Sequence, residues 1–167
     1  MNNKLDKELI RFITENKENL YRFAFSYVKN AENALDIVQD SIHKALLSSY
    51  SIQSEVAMKS WFYRIVMNTS IDFLRKQKRI QLVDDQTLEL HIPSNEDVYQ
   101  DIDLEKALEE LPYAFRTVII LRYFEDMKIE EIAEVLNENL STVKSRLYKA
   151  LRILRIQMSN EILEEVK

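Results

Sequence analysis

The chain has 167 residues, a formal net charge of −5 and 46% hydrophobic residues, enough apolar material to bury a core in one ordinary domain or two small ones. It contains no Cys and no Gly, and its only histidines are His43 and His91. Disulfides, thiolate chemistry and zinc spacings are thereby excluded, as are the Gly-dependent phosphate loops, dinucleotide fingerprints and nucleophile elbows, so neither a nucleotide-binding enzyme nor a cofactor or metal is expected. Turns fall to Asn, Asp, Ser and two prolines, which suits helices joined by short polar links. No cationic-then-apolar leader opens the sequence, and its longest aliphatic run, 118–121, is far short of the roughly 20 residues that span a bilayer. The expected compartment is the cytoplasm.

In chain order, Leu9, Ile10, Ile13, Leu20, Phe23, Ala24, Tyr27 and Val28 recur at the three-four spacing of an amphipathic helix. Asn30 can cap a second helix with the face Leu35, Val38, Ile42, Ala45 and Leu46, which the serine-rich SSYSIQS interrupts with a loop of about ten residues. A third helix is expected from near Met58, burying Phe62, Ile65, Val66, Thr69 and Phe73 and ending in the basic RKQKR, 75–79, whose cations suit a helix C-terminus. From Ile80 to Glu105 there is no Lys or Arg, while eight carboxylates accumulate around Pro93. Such a shift in charge and periodicity marks a connector. Beyond it, Leu104, Ala107, Leu108 and Leu111 predict a short helix, and Pro112 opens another with Phe115, Val118 and Ile119 inside.

The string IEEIAEVLNENLSTVKSRL then has the form of a helix-turn-helix. Ile129, Ile132, Ala133 and Leu136 back the first helix, and Ala133 is small where two helices must cross closely. Asn137 stands where the turn needs a residue tolerant of left-handed backbone. Ser141 can cap the second helix, whose inner face is Val143, Leu147, Ala150, Leu151 and Leu154 and whose outer face is Lys144, Ser145, Tyr148, Lys149 and Arg152. The stretch from Asn139 to Leu154 carries no acidic residue in a chain that is acidic as a whole. An apolar back with a basic, hydrogen-bonding front suits entry into the DNA major groove, although a basic exposed face can also be merely solvated.

Two longer phrases narrow the reading. LPYAFRTVIILRYFEDMKIEEIAEVLNENLSTVKSRLYKALRIL, 111–154, resembles the fourth conserved region of bacterial sigma factors of the extracytoplasmic-function group, group IV of the sigma-70 family. LYRFAFSYVKNAENALDIVQDSIHKAL, 20–46, and SWFYRIVMNTSIDFLRKQKR, 60–79, resemble its second region. The resemblance implies an all-α chain of two small helical domains, 1–79 and 104–167, joined by an extended acidic linker, 80–103. It implies a non-enzymatic initiation factor that binds core RNA polymerase through the β′ clamp helices and β flap, recognises the −10 and −35 promoter elements, and helps open DNA.

Site residues follow position by position. Asp36, Gln39, Asp40 and His43 lie at three-four spacing along the second helix and match the polymerase-docking segment; as residues alone they could equally be a solvated acidic stripe. Trp61, Arg64, Asn68, Asp72 and Arg75 form one stripe on the third helix, of which Trp61, Arg64, Asn68 and Arg75 are assigned to the −10 element. Asn68 would hold a base pulled from the non-template strand, since an amide can read a flipped base edge, while Trp61 can also be read as a core residue. Thr142, Lys144, Ser145, Arg146, Tyr148 and Lys149 match the −35 contacts, although Arg146 could instead pair with an acidic side chain. Glu138-Asn139-Leu140-Ser141 departs from the proline or glycine common in the family and leaves the turn geometry open. The acidic linker would repel duplex DNA until polymerase accommodates it. An anti-sigma factor, often membrane-anchored, is the expected inhibitor. Two other readings remain at this point: a helix-turn-helix regulator acting without core polymerase, and a helical adaptor whose basic helix meets an acidic protein.

Overall fold

A computed structural model describes residues 3–83 and 102–165, and every regular element among them is helical. The N-terminal half comprises α1 (Asn3–Val28), α2 (Ala31–Leu47), a 3₁₀ turn (Ser49–Ser51) and α3 (Glu55–Val83). The C-terminal half comprises α4 (Ile102–Glu110), α5 (Tyr113–Ile119), a π turn (Ile120–Phe124), α6 (Ile129–Leu136) and α7 (Leu140–Glu165). Residues 84–101, which hold most of the expected acidic connector, lie outside the described residues.

In the N-terminal half, α1, α2 and α3 pack on one another around Leu9, Leu20, Phe23, Ile37, Phe62, Tyr63 and Val66. The periodic face read from α1 is the buried one, apart from Ile10, which is exposed, and Val28, which is only partly covered. Asn30 caps α2 as expected, its side chain accepting from the Asn33 amide at 3.0 Å.

Four expectations are corrected here. The buried face of α2 is Ala34, Ile37, Val38, Ser41 and Ala45, whereas Leu35 and Leu46 face solvent. Small Ala34 and Ser41 let the backbones approach closely, and hydrophobicity alone does not compel burial of a leucine. The loop before α3 is shorter than ten residues, because the 3₁₀ turn and a start at Glu55 consume much of it. The basic cluster 75–79 does not terminate α3, which continues to Val83. Lys and Arg are good helix formers, and nothing in the cluster breaks the backbone ladder. Helix also occupies both ends of the predicted linker, at 80–83 and 102–103.

In the C-terminal half, α7 packs on α4, α5 and α6. Asn137 takes the left-handed conformation, φ 54° and ψ 45°, and the Glu138 amide closes back onto the Ala133 carbonyl at 3.0 Å. The cap of α7 is Asn139 rather than Ser141: Asn139 Oδ1 accepts from the Thr142 amide at 2.8 Å and from the Ser141 hydroxyl at 2.9 Å. Ser141 lies inside the first turn, two positions past the cap. Leu151, expected inside, is exposed, while Val143, Leu147, Ala150 and Leu154 are buried.

The two halves are not independent bodies. Helix α6 packs on α3, and the buried apolar residues of both halves form one cluster.

Candidate nucleic-acid and polymerase interface

Three surfaces carry the residues singled out in the sequence. Along α7, Lys144, Ser145, Tyr148, Lys149 and Arg152 are exposed, with Tyr148 the most prominent aromatic of the helix at 73% accessibility. Among the described residues, Lys144, Lys149 and Arg152 make no ion pair, so their charges face solvent unopposed. Thr142 is half-buried under the cap. Arg146 is bound within the chain, donating to Glu138 at 3.1 Å. Of the two options open for Arg146 in the sequence, the structure displays the acidic pairing.

On α3, Arg64 and Asn68 are exposed at a four-residue spacing, and Arg75 continues the same side beside Asp72 at 3.9 Å. Trp61 is only half-buried. Its ring meets Phe62 edge-on and its indole N–H donates to Ser51 Oγ at 3.2 Å, which ties the 3₁₀ turn to α3. Tyr50 on that turn projects into solvent at 88% accessibility. An exposed aromatic, an anchored indole and an amide one helical turn beyond Arg64 make a surface suited to unstacked bases.

The third surface is on α2, where Asp36, Gln39, Asp40 and His43 are all exposed. Asp40 pairs with Lys44 at 3.1 Å, and Lys44 also donates to Thr69 Oγ1 on α3 at 3.1 Å. Exposed pairs of this kind contribute little stability, so Asp40 can exchange its partner for another cation.

The sequence reading missed a fourth group, which joins the halves. Tyr63 donates to the Glu125 carboxylate, and Lys59, one turn earlier on α3, donates to the Glu125 carbonyl at 2.8 Å. Tyr27 and Thr117 share a hydroxyl–hydroxyl hydrogen bond, and the Tyr27 and Tyr113 rings stack at 5.8 Å. Arg116 donates to the carbonyls of Leu108, Glu109 and Leu111 in its own half and to Ser26 of the other at 2.8 Å. Lys29 and Glu109 pair at 3.3 Å. Burial pushes the Glu125 carboxyl above the usual carboxylate range, against the opposing pull of the Tyr63 hydroxyl and the Lys59 ammonium. It likewise raises the Tyr27 and Tyr63 phenols and lowers Arg116 and Lys29.

A widened turn helps set Glu125. Its amide reaches the Ile120 carbonyl, five residues back, at 3.0 Å, so one residue more than an α turn precedes it. In the sequence Tyr27 stands out only as part of the periodic face of α1, and Tyr63, Arg116 and Glu125 carry no local signal of this role, since their partners lie far off in the chain.

Comparison with known proteins identifies the family. Residues 12–80 match the family described as sigma-70 region 2, and residues 101–154 match sigma-70, region 4. Over 153 residues the chain is 56% identical to the RNA polymerase sigma factor SigV of Bacillus subtilis (strain 168), covering 92% of each. It is 29% identical to the ECF RNA polymerase sigma factor SigW of the same organism, covering 85% of this chain and 84% of that one. Among solved structures it is similar to the sigma factor RpoE from Bartonella quintana, crystallised with the anti-sigma factor NepR, with a TM-score of 0.77, 26% identity, and coverage of 92% of this chain and 98% of that one.

Proposed function

Because the chain belongs to the extracytoplasmic-function sigma factors, and is an alternative sigma factor of transcription initiation rather than an enzyme, we propose that its three exposed surfaces divide the work of promoter recognition. The front of α7 reads the −35 element as duplex: Lys144 and Lys149 fix the helix on phosphates while Thr142, Ser145 and Tyr148 reach the groove. Arg146 takes part once it exchanges Glu138 for the anionic backbone. The stripe Arg64, Asn68 and Arg75, with Trp61 holding the 3₁₀ turn, binds the −10 region, and Asn68 receives a base displaced from the stack. The stripe Asp36, Gln39, Asp40 and His43 docks on basic helices of core polymerase, and residues 1–79, 80–103 and 104–167 serve as core-binding domain, connector and −35 domain.

The observation that carries this reading is the unpaired basic front of α7 on a chain that is acidic overall. An acidic protein with a free cationic helix front binds duplex weakly alone and gains its affinity from a second, protein, contact. The test is run-off transcription from a promoter fragment with purified core polymerase: initiation that depends on this chain supports the reading, and none on any genomic promoter fragment refutes it. Since the similar RpoE was crystallised with an anti-sigma factor, an inhibitor of that class is proposed for this chain too. The proposed compartment is the cytoplasm; among the described residues no helix is long and apolar enough to cross a membrane.

A further inference from the structure

The polar seam between the halves leaves a space beside it. A cavity of about 260 Å³ opens to the surface there, walled by α1 on one side and by α4, α5 and the π turn on the other. Its lining is mostly apolar, with Phe25 from α1, Leu108 from α4, and Ile120 and Phe124 from the π turn. Phe25 and Phe124 keep 38% and 60% of their surface accessible, so two aromatic rings line the cavity while remaining poorly covered. An apolar guest would remove that surface from water. An apolar cavity of about 150 Å³ holds a benzene ring, so this one has room for a body of that size with a polar head attached. Junctions between packed units are common places for small-ligand sites.

The charged part of the lining has a sign. Arg22, Lys29 and Arg116 share it with Glu109 and Glu125, three cations against two carboxylates. Arg116 is buried and gives its donors to four backbone carbonyls, but among the described residues no carboxylate lies within ion-pair distance of it. Its charge is solvated by dipoles and left without a counter-ion. Burial lowers the Lys29 ammonium below the ordinary lysine value, the Arg116 guanidinium lowers it further, and Glu109 at 3.3 Å offsets this only in part. Glu125 gives little help, since its carboxylate is engaged by Tyr63 and burial favours its neutral form. Arg22 is paired only with exposed Glu18 at 3.4 Å, a contact that contributes little and leaves the guanidinium able to turn toward a ligand. Titratable groups shifted by burial and by like charge, gathered in one cleft, mark a candidate binding site.

We propose that this cavity binds a small amphipathic carboxylate, its apolar body seated against Phe25 and Phe124 and its anionic head received by Arg22 and Lys29 in the field of Arg116. A monocarboxylate supplies the one negative charge by which the lining falls short. A neutral or cationic guest of the same shape leaves Arg116 and Lys29 without a counter-ion. The walls come from both halves, so an occupant bridges α1 to the π turn and raises thermal stability as its concentration passes its Kd. The site shares no residue with the surfaces on α7, α3 and α2 assigned above, and stands independently of their roles.

The test is isothermal titration of the free full-length chain with octanoate and phenylacetate, with octanol and phenylethanol as their neutral counterparts and octylamine as a cationic control. At least one carboxylate should bind saturably with a Kd below about 1 mM and raise the thermal midpoint over the same concentration range. The tighter of the two distinguishes an acyl chain from an aromatic ring as the preferred body. Each alcohol should bind about fivefold or more weakly than its carboxylate, and octylamine more weakly still. Arg22→Gln alters an exposed side chain and should weaken the carboxylate about fivefold while leaving the alcohol unchanged, whereas Phe124→Ala should weaken both. No saturable binding of either carboxylate, or equal affinity for each carboxylate and its alcohol, overturns the proposal. So does carboxylate binding that is unchanged in both Arg22→Gln and Phe124→Ala, because the ligand then sits elsewhere on the chain.

Discussion

The hydroxyl of Tyr63 donates to the carboxylate of Glu125 across 62 residues of sequence, and both side chains are buried. One comes from α3 and the other from the link between the π turn and α6, so this bond ties the two halves of the chain together. The charged and titratable groups around the carboxylate are Tyr63 and Lys59 of α3 and Arg22 of α1.

The first prediction concerns pH. Burial raises the Glu125 carboxyl above its ordinary value of 4.5. A carboxyl raised in the docked form contributes stability that is fully present below 4.5 and is lost as the pH rises through the raised value. Docking should therefore strengthen as pH falls from 7 toward 5. Measured as thermal midpoint across that window, the trend should flatten in Glu125→Gln, and an identical slope in that variant would contradict the assignment.

Arg116 is the most heavily committed cation of the interface, donating to four backbone carbonyls. Arg116→Ala leaves several buried acceptors unpaired and should cost about 3 kcal/mol or more in urea denaturation. Arg116→Lys should recover only part of the loss, since an ammonium cannot span acceptors that the planar guanidinium reaches together.

At the helix-turn-helix, the cap and the left-handed residue make separate predictions. Asn139→Ala should destabilise by about 1 kcal/mol by removing the acceptor for the Thr142 amide, and Ser141→Ala by clearly less. Asn137→Gly should be neutral or stabilising, because glycine adopts the observed φ of 54° without a steric cost, whereas Asn137→Val should lower the thermal midpoint.

Lys144→Ala should weaken binding to a −35 duplex by the holoenzyme and reduce the slope of log affinity against log salt by about 1. Arg146→Ala should change that slope less, because its guanidinium is already neutralised by Glu138 at 3.1 Å. Equal slopes for the two variants would place both cations on phosphates.

Asn68→Ala should impair promoter opening more than duplex binding. The comparison is permanganate reactivity of the −10 region against band-shift affinity on the same fragment. Equal losses in both would argue against a displaced base at this position.

Much of the all-α architecture is local in origin and could be read before any coordinates. The three-four spacing of Leu9, Ile13, Leu20 and Phe23, the Asn30 cap and the left-handed Asn137 each depend on neighbours within a few residues, and each is found as expected. The exposed basic front of α7 is legible for the same reason, since a helix separates its faces by spacing alone. The errors arise where two local solutions are nearly equal. Leu35 and Leu46 outweigh Ala34 and Ser41 in hydrophobicity, yet the smaller residues are the buried ones, because the approach of α1 and α3 sets which side of α2 is covered. Ser141 and Asn139 are both competent caps, and the helix start selects between them.

The sequence by itself determined most of the helices, the exposed basic front of α7 and, through the phrases around DIVQD, WFYRIVMN and TVKSRL, the family. All of these are encoded in short-range pattern. Only the tertiary structure decided that Arg116 and Glu125 are interior groups and that α6 lies on α3. No periodicity announces a charged side chain whose partners stand 62 or 90 residues away, because its burial becomes tolerable only when those partners arrive to satisfy it.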